Sequence, residues 1–240
     1  MTMTGQDRQD GQVGHAEQDR KAEPQDVRGA LAALEDGRPS VRLRAALAVG
    51  TAPDPRFVDP LAERCAVEPE FFVRDMLTWA LTRHPVELTL PRMLAELRSE
   101  RARARSQALH TLSKIGDPRA WPAITRGHLT DPDDEVARAA WRTAVVLVPD
   151  GEEAALAAVL AGQLGRGGQE TRLSLSRALI DLGEVIAPLL DAASSHPDPE
   201  VRAHALATAR IMADPDTGFA HAIEEAKRVV ALGGAPDGGH

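Results

Sequence analysis

Arg105-Ser106-Gln107-Ala108-Leu109-His110-Thr111-Leu112-Ser113-Lys114-Ile115-Gly116-Asp117-Pro118 is the stretch that decides the fold. Counted from Arg105, small or apolar residues fall three, four, seven and ten places on, at Ala108, Leu109, Leu112 and Ile115, which is one face of an α-helix. Gly116 ends that helix, and Asp117 with Pro118 opens the next, as a cap and a first-turn proline. The frame recurs in both directions. Arg42 leads Ala45, Ala46, Val49 and Ala52, and Arg74 leads Leu77, Thr78, Leu81 and His84. Arg172 leads Leu175, Ser176, Leu179 and Leu182, and Arg202 leads Ala205, Leu206, Ala209 and Met212. A sixth copy aligns on Ala137, with Ala140, Trp141, Ala144 and Leu147, but its arginine comes one place late, at Arg138. The anchors 42, 74, 105, 137, 172 and 202 lie 32, 31, 32, 35 and 30 residues apart, the period of a stacked array.

Each period holds a second amphipathic segment beyond a turn. Turns such as Ala52-Pro53-Asp54-Pro55, Arg83-His84-Pro85 and Val148-Pro149-Asp150-Gly151 stop one helix and start another. Asp131-Pro132-Asp133-Asp134-Glu135 and Pro197-Asp198-Pro199-Glu200 set carboxylates at the N-terminus of the helix that follows. Hydrophobic residues make up 43% of the 240, yet aromatics only 3% with no Tyr, which suits closely packed helix pairs better than a wide globular core. The net charge of −8 weighs against non-specific nucleic-acid binding as the main activity. A single cysteine, Cys65, excludes an intramolecular disulfide and a multi-cysteine zinc cluster, and reads as a small buried residue. No apolar leader and no run of eighteen apolar residues is present, so the expectation is a cytoplasmic chain without a membrane span. Residues 1–24 read as a disordered tail, 25–232 as the repeat domain and 233–240 as a flexible tail.

Asp134-Glu135-Val136, Pro199-Glu200-Val201-Arg202 and Lys114-Ile115-Gly116-Asp117-Pro118-Arg119-Ala120 resemble the HEAT repeat, especially its short bacterial form. The resemblance implies an all-α, right-handed α-α superhelical solenoid of about six hairpins, with a C-terminal capping helix over about Thr217 to Leu232. It also implies that the anchor arginines bind carboxylates and carbonyls of adjoining loops, and that the second helix of each hairpin lines an inner, concave face.

Positions one and five after each anchor form a stripe of their own, off the apolar one. They read Leu43 and Leu47, Asp75 and Trp79, Ser106 and His110, Arg138 and Arg142, Leu173 and Arg177, then Ala203 and Ala207, with Lys114 one turn beyond His110. Asp75, Trp79, His110, Lys114, Arg138, Arg142 and Arg177 are therefore the candidate partner-binding residues, with Trp79 and the arginines as anchors for a protein partner. Trp141 falls on the apolar stripe and is expected in the core, and Trp121 is expected to open a first helix and fill the gap between units. No Ser/His/Asp set, phosphate-cradling glycine loop or paired catalytic carboxylates can be traced. Deoxyhypusine hydroxylases resemble this architecture but hold two irons on repeated His-Glu pairs, and none of the eight histidines here precedes a Glu. The expectation is thus a non-catalytic adaptor, not an enzyme, with no cofactor or metal, a nucleic acid an improbable partner, and monomeric by default. The alternative is a HEAT-like-repeat DNA glycosylase acting on alkylated bases, with Asp75 and Trp79 one turn apart beside Arg138, Arg142 and Arg177.

Overall fold

The computed structural model describes residues 24–214 and 218–233. The expected tails lie outside these residues, except for Pro24 and Gly233. Among the described residues there is no strand, and the helices form six hairpins and one further helix. The hairpins are α1 (Pro24–Leu34) with α2 (Pro39–Thr51), α3 (Val58–Cys65) with α4 (Phe71–Arg83), and α5 (Val86–Glu96) with α6 (Ala102–Ile115). They continue with α7 (Arg126–Leu129) and α8 (Asp134–Leu147), α9 (Glu153–Ala161) and α10 (Gln169–Asp181), then α11 (Ala187–Ala193) and α12 (Pro199–Ala213). The further helix is α13 (Phe219–Gly233). The second helices α2, α4, α6, α8, α10 and α12 each pack on the next, and the first helices do likewise, giving two layers around one long core. No described helix is long and apolar enough to cross a membrane.

The turn chemistry sets these boundaries. Asp133 accepts from the N–H groups of Glu135 and Val136, and Asp198 from that of Glu200, so the acidic turns cap α8 and α12. Gly116 ends α6 in the left-handed region at φ 67°, where a Cβ would strain the backbone.

The anchor arginines hold the second turns. Arg42, Arg74, Arg105 and Arg202 each donate to the carbonyl six residues back, and the last three also to the carbonyl five back. Arg42 and Arg105 reach across to the next unit as well: Arg42 makes two 2.7 Å hydrogen bonds to Glu68, and Arg105 meets Asp131 at 3.0 Å. Arg172 follows the same plan through Gly165, Gly167 and Glu200. In the fourth unit, whose anchor is Ala137, Arg166 from the following loop supplies the missing guanidinium. It donates to the carbonyl of Asp131, six residues before Ala137, and to the carboxylate of Asp134.

Two parts of the array depart from the sequence expectation. The first helix of the fourth unit is a 3₁₀ turn over Pro118–Ala123 followed by the single turn α7. Pro122 crowds the residue before it and disfavours α-helical backbone there, and Trp121 lies in the 3₁₀ turn instead of opening an α-helix. Trp121 is half-buried against the core and donates to Glu152 of the next unit at 3.1 Å. In α12 the expected stripe is only partly buried: Ala209 is exposed, while Ala203, His204, Ala205, Ala207 and Thr208 are buried. The cause is α13, whose Phe219, Ala222, Ile223 and Ala226 cover Ala203 and Ala207, so this helix is walled on more than one side. Trp141 and Cys65 are buried in the core as their positions on the apolar stripes imply, and burial pushes the Cys65 thiol up to about 12.

Two buried polar groups hold the ends of the array. Burial would raise the Glu68 carboxyl, but hydrogen bonds from Arg42, the Glu70 N–H and Arg64 hold it near 2. Glu68→Ala leaves Arg42, 4% exposed, without its counter-charge and is expected to cost about 3–5 kcal/mol in chemical denaturation. Arg119→Ala, which removes a solvent-exposed partner of Asp117 and Glu87, should leave stability close to unchanged. Comparable losses in the two variants would remove the Glu68 cluster from this role.

His204, fully buried, accepts from the Gly165 N–H through Nδ1, so Nε2 carries the proton toward the Arg172 carbonyl and Ser176 Oγ. Burial pushes this imidazole down to about 4. Between about pH 6.5 and 4 the unfolded chain binds a proton that the folded chain refuses, so stability falls as pH falls, by up to ~1.4 kcal/mol per unit. Urea titrations from pH 7 to 4.5 are expected to show a shallower decline for His204→Gln than for the parent; parallel curves would exclude His204 as the source.

Candidate functional site

The stripe at positions one and five faces a groove that runs across α4, α6, α8 and α10. Two hollows make it up, and they share His110, Arg138, Arg142 and Glu170. The first, about 490 Å³, opens toward α4 and adds Phe71, Arg74 and Asp75. The second, about 430 Å³, opens toward α10 and adds Lys114, Arg177 and Asp181, with Val145, Val146 and Leu173 as apolar wall. Six of the seven candidates from the sequence thus line one continuous groove, and Trp79 lines neither hollow.

Trp79 is taken up by packing. Its ring lies on Gly50 of α2, where an added Cβ would stand 2.2 Å from Cζ3 and 3.0 Å from the Cα of Ala80. The ring is 36% exposed and its covered side closes the α2–α4 contact. Asp75, one turn earlier, points the other way along the array, into the hollow that holds His110. The pairing that the glycosylase reading needs, Asp75 and Trp79 in one pocket, is not made.

The electrostatics of the groove are uneven. Arg138 pairs with Glu170 at 2.5 Å, yet its Nε is buried without an acceptor. Lys114, Arg142 and Arg177 come from three successive second helices and form no ion pair among the described residues. Burial of its stem, and then the charge of Arg138, lowers the Arg142 guanidinium below its usual value, while Glu170 opposes the shift. Burial likewise lowers His110, with Arg142 and Lys114 pushing the same way and Asp75 pushing back. His110 is therefore neutral near pH 7 among cations. Of the other described histidines, His84 bonds the carbonyls of Ala80 and Asp54, His128 that of Leu97, and His204 that of Arg172. Among the described residues no three His, Cys, Asp or Glu side chains are grouped to hold a metal ion.

Sequence reasoning passed over Phe71, Phe72 and Glu170. Phe71 and Phe72 are 64% and 76% exposed and meet edge to face at 5.6 Å, and Phe71, with Arg74 against its ring, lines the first hollow. The signal was available: adjacent residues on a helix diverge by about 100°, so two neighbouring aromatics cannot both enter a narrow core. Glu170 gave none, since its pairing with Arg138 spans 32 residues.

A helical array with clamped second turns and a groove along its second helices is an α-solenoid. The family model for HEAT repeats matches residues 73–145, from α4 through α8, so that part of the array carries HEAT repeats. Among solved structures, that of human deoxyhypusine hydroxylase in complex with glycerol is similar, with 18% identity over 87% of this chain and 95% of that chain and a TM-score of 0.44. No curated protein matches the chain in sequence.

The expectation of a non-catalytic adaptor is corrected by that finding. That structure is of an enzyme, and the statement that this chain is not an enzyme is withdrawn. The fault lay in reading a missing motif as missing chemistry. In a solenoid the side chains of one site lie some thirty residues apart, as Asp75, His110 and Arg142 do, and leave no local motif. The likeness to the hydroxylase is one of fold, and its activity is not carried over.

Gly50→Ala drives a methyl into the Trp79 ring. It is expected to destabilise the chain by about 1–3 kcal/mol and to shift tryptophan emission to the red as Trp79 is displaced. Unchanged emission and stability would show that the α2–α4 contact is not set by this pair.

Proposed function

We propose that the groove across α4, α6, α8 and α10 recognises a ligand that carries anionic groups beside an apolar portion; an acidic segment of a protein partner is one such ligand. The observation that carries the reading is the trio Lys114, Arg142 and Arg177, three cations from successive helices that make no ion pair among the described residues, on a chain of net charge −8. Cations held together in a partly desolvated groove repel one another, and a bound anion relieves that repulsion while replacing lost solvation. Val145, Val146 and Leu173 on one side, and Phe71 at the other end, offer apolar contact next to the charge. Acidity elsewhere on the surface makes an extended nucleic acid a poorer fit than a short anionic ligand. The lone buried thiol of Cys65 supports a cytoplasmic setting.

A fluorescein-labelled peptide alternating Glu and Leu provides the probe, read by anisotropy. Lys114→Ala, Arg142→Ala and Arg177→Ala are each expected to weaken binding about tenfold, or ~1.4 kcal/mol. Binding should also weaken as salt rises from 50 to 300 mM. Arg119→Ala, on an ion pair that lines neither hollow, serves as control and should leave affinity unchanged. Equal affinity of the parent and the triple variant would end the proposal.

A further inference from the structure

Within that groove, and resting on the reading just given, we infer that His110, Lys114 and Arg142 form a subsite for a phosphate monoester. The three side chains come from two adjacent helices and line one hollow. His110 and Arg142 are each the fifth residue after their repeat's anchor, so they stand side by side, and Lys114 lies one helical turn beyond His110 on the same face. Ser113 lines the same hollow and adds a hydroxyl donor. Arg138 stands on the turn before Arg142, engaged by Glu170 through Nη2 but with its buried Nε unspent.

Charge and proton chemistry favour a dianion over a single carboxylate. A carboxylate brings one charge and two oxygens, enough for one guanidinium in a bidentate pair. A phosphate monoester carries about −1.5 to −2 charges at pH 7 and three acceptor oxygens. Lys114 and Arg142 offer donors from two helices, and an imidazole that can take up a proton offers another. His110 is the sensor in this arrangement. The charged groups that line its two hollows are Arg74 and Asp75 on α4, Lys114 on its own helix, Glu135, Arg138 and Arg142 on α8, and Glu170, Arg177 and Asp181 on α10. Burial, with Arg142 and Lys114 adding to it, disfavours the charged imidazole, and a dianion among these cations reverses the local field and draws a proton onto it. Binding is then coupled to proton uptake at one residue. A side chain that merely packs in the groove would show no such coupling.

The test follows the His110 C2 proton by NMR, assigned with His110→Gln, during titration with inorganic phosphate and with sulfate, whose charge is constant over this range. Saturable shifts with both ions are expected, with the His110 pKa raised by about one unit, so that the protonated form binds about tenfold more tightly. Sulfate should accordingly bind more tightly as pH falls from 7.5 to 6, a trend lost in His110→Gln. Lys114→Ala and Arg142→Ala should each abolish the shift. A phosphoserine peptide and a sugar phosphate as parallel ligands distinguish a modified polypeptide from a small metabolite as the source of the phosphoryl group. If the Glu/Leu peptide binds but neither ion moves His110, the phosphate subsite is wrong and the anionic groove stands. If the ions move His110 and the Glu/Leu peptide does not bind, the subsite stands without the wider reading. If none of the probes binds, both fall.

Discussion

Each unit is held by an arginine that reaches backwards. The anchor guanidinium opens the second helix, turns against the chain direction and caps carbonyls five and six residues earlier, at the turn that would otherwise leave them without donors. In three units the same group also grips a carboxylate at the start of the next second helix or in the turn before it, so one side chain fixes both the hairpin's own turn and its stacking on the next. The carbonyls need a donor because the turns are partly buried. The charge tolerates that burial because Glu68 and Asp131 are buried with it. Register follows: with each second helix pinned at its first turn, positions one and five of successive helices fall in line, and a stripe becomes a groove.

The fourth unit shows what happens when the arginine is displaced by a single position. One residue along an α-helix is a rotation of about 100°. Arg138, one place late, no longer faces its own turn; it points into the groove and pairs there with Glu170. The carbonyl it abandons, that of Asp131, is served by Arg166 from the next loop. The clamp is preserved from a different place in the chain, and the groove gains a cation at its centre. The irregular copy thus sets an Arg138–Glu170 pair on the inner face, between the unpaired Lys114, Arg142 and Arg177.

Much of this was legible in the sequence. Six anchors and their turns are local patterns, and helices, caps and hairpin order depend on local chemistry that the structure repeats almost unit by unit. Arg138 was visible as an exception, and six groove residues followed from counting along each helix. What escaped depends on contacts between units. Trp79 falls on the inner stripe by count, yet only the glycine opposite, Gly50, decides that its ring fills a helix contact and not the groove. The Arg138–Glu170 pair and the Arg166 substitution each span about one full repeat. Trp121 was expected to open a first helix, whereas Pro122 disfavours α-helical backbone at the residue before it and the segment is a 3₁₀ turn. The functional expectation failed differently, because local motifs cannot record a site assembled across repeats.

The same two positions that charge the groove also end it. In α12 they are Ala203 and Ala207, and α13 lies across them with Phe219, Ala222, Ile223 and Ala226. A helix can settle on alanines because they present small apolar area and no charge to desolvate. Over α8 and α10, where the fifth position is Arg142 or Arg177, a comparable apolar helix would have to bury unpaired guanidinium groups at a cost of several kcal/mol each. The face that accepts α13 in one unit therefore refuses it two units earlier. The boundary between cap and open groove is set by whether position five is alanine or arginine, and this leaves the charged stretch free for an occupant that brings its own negative charge.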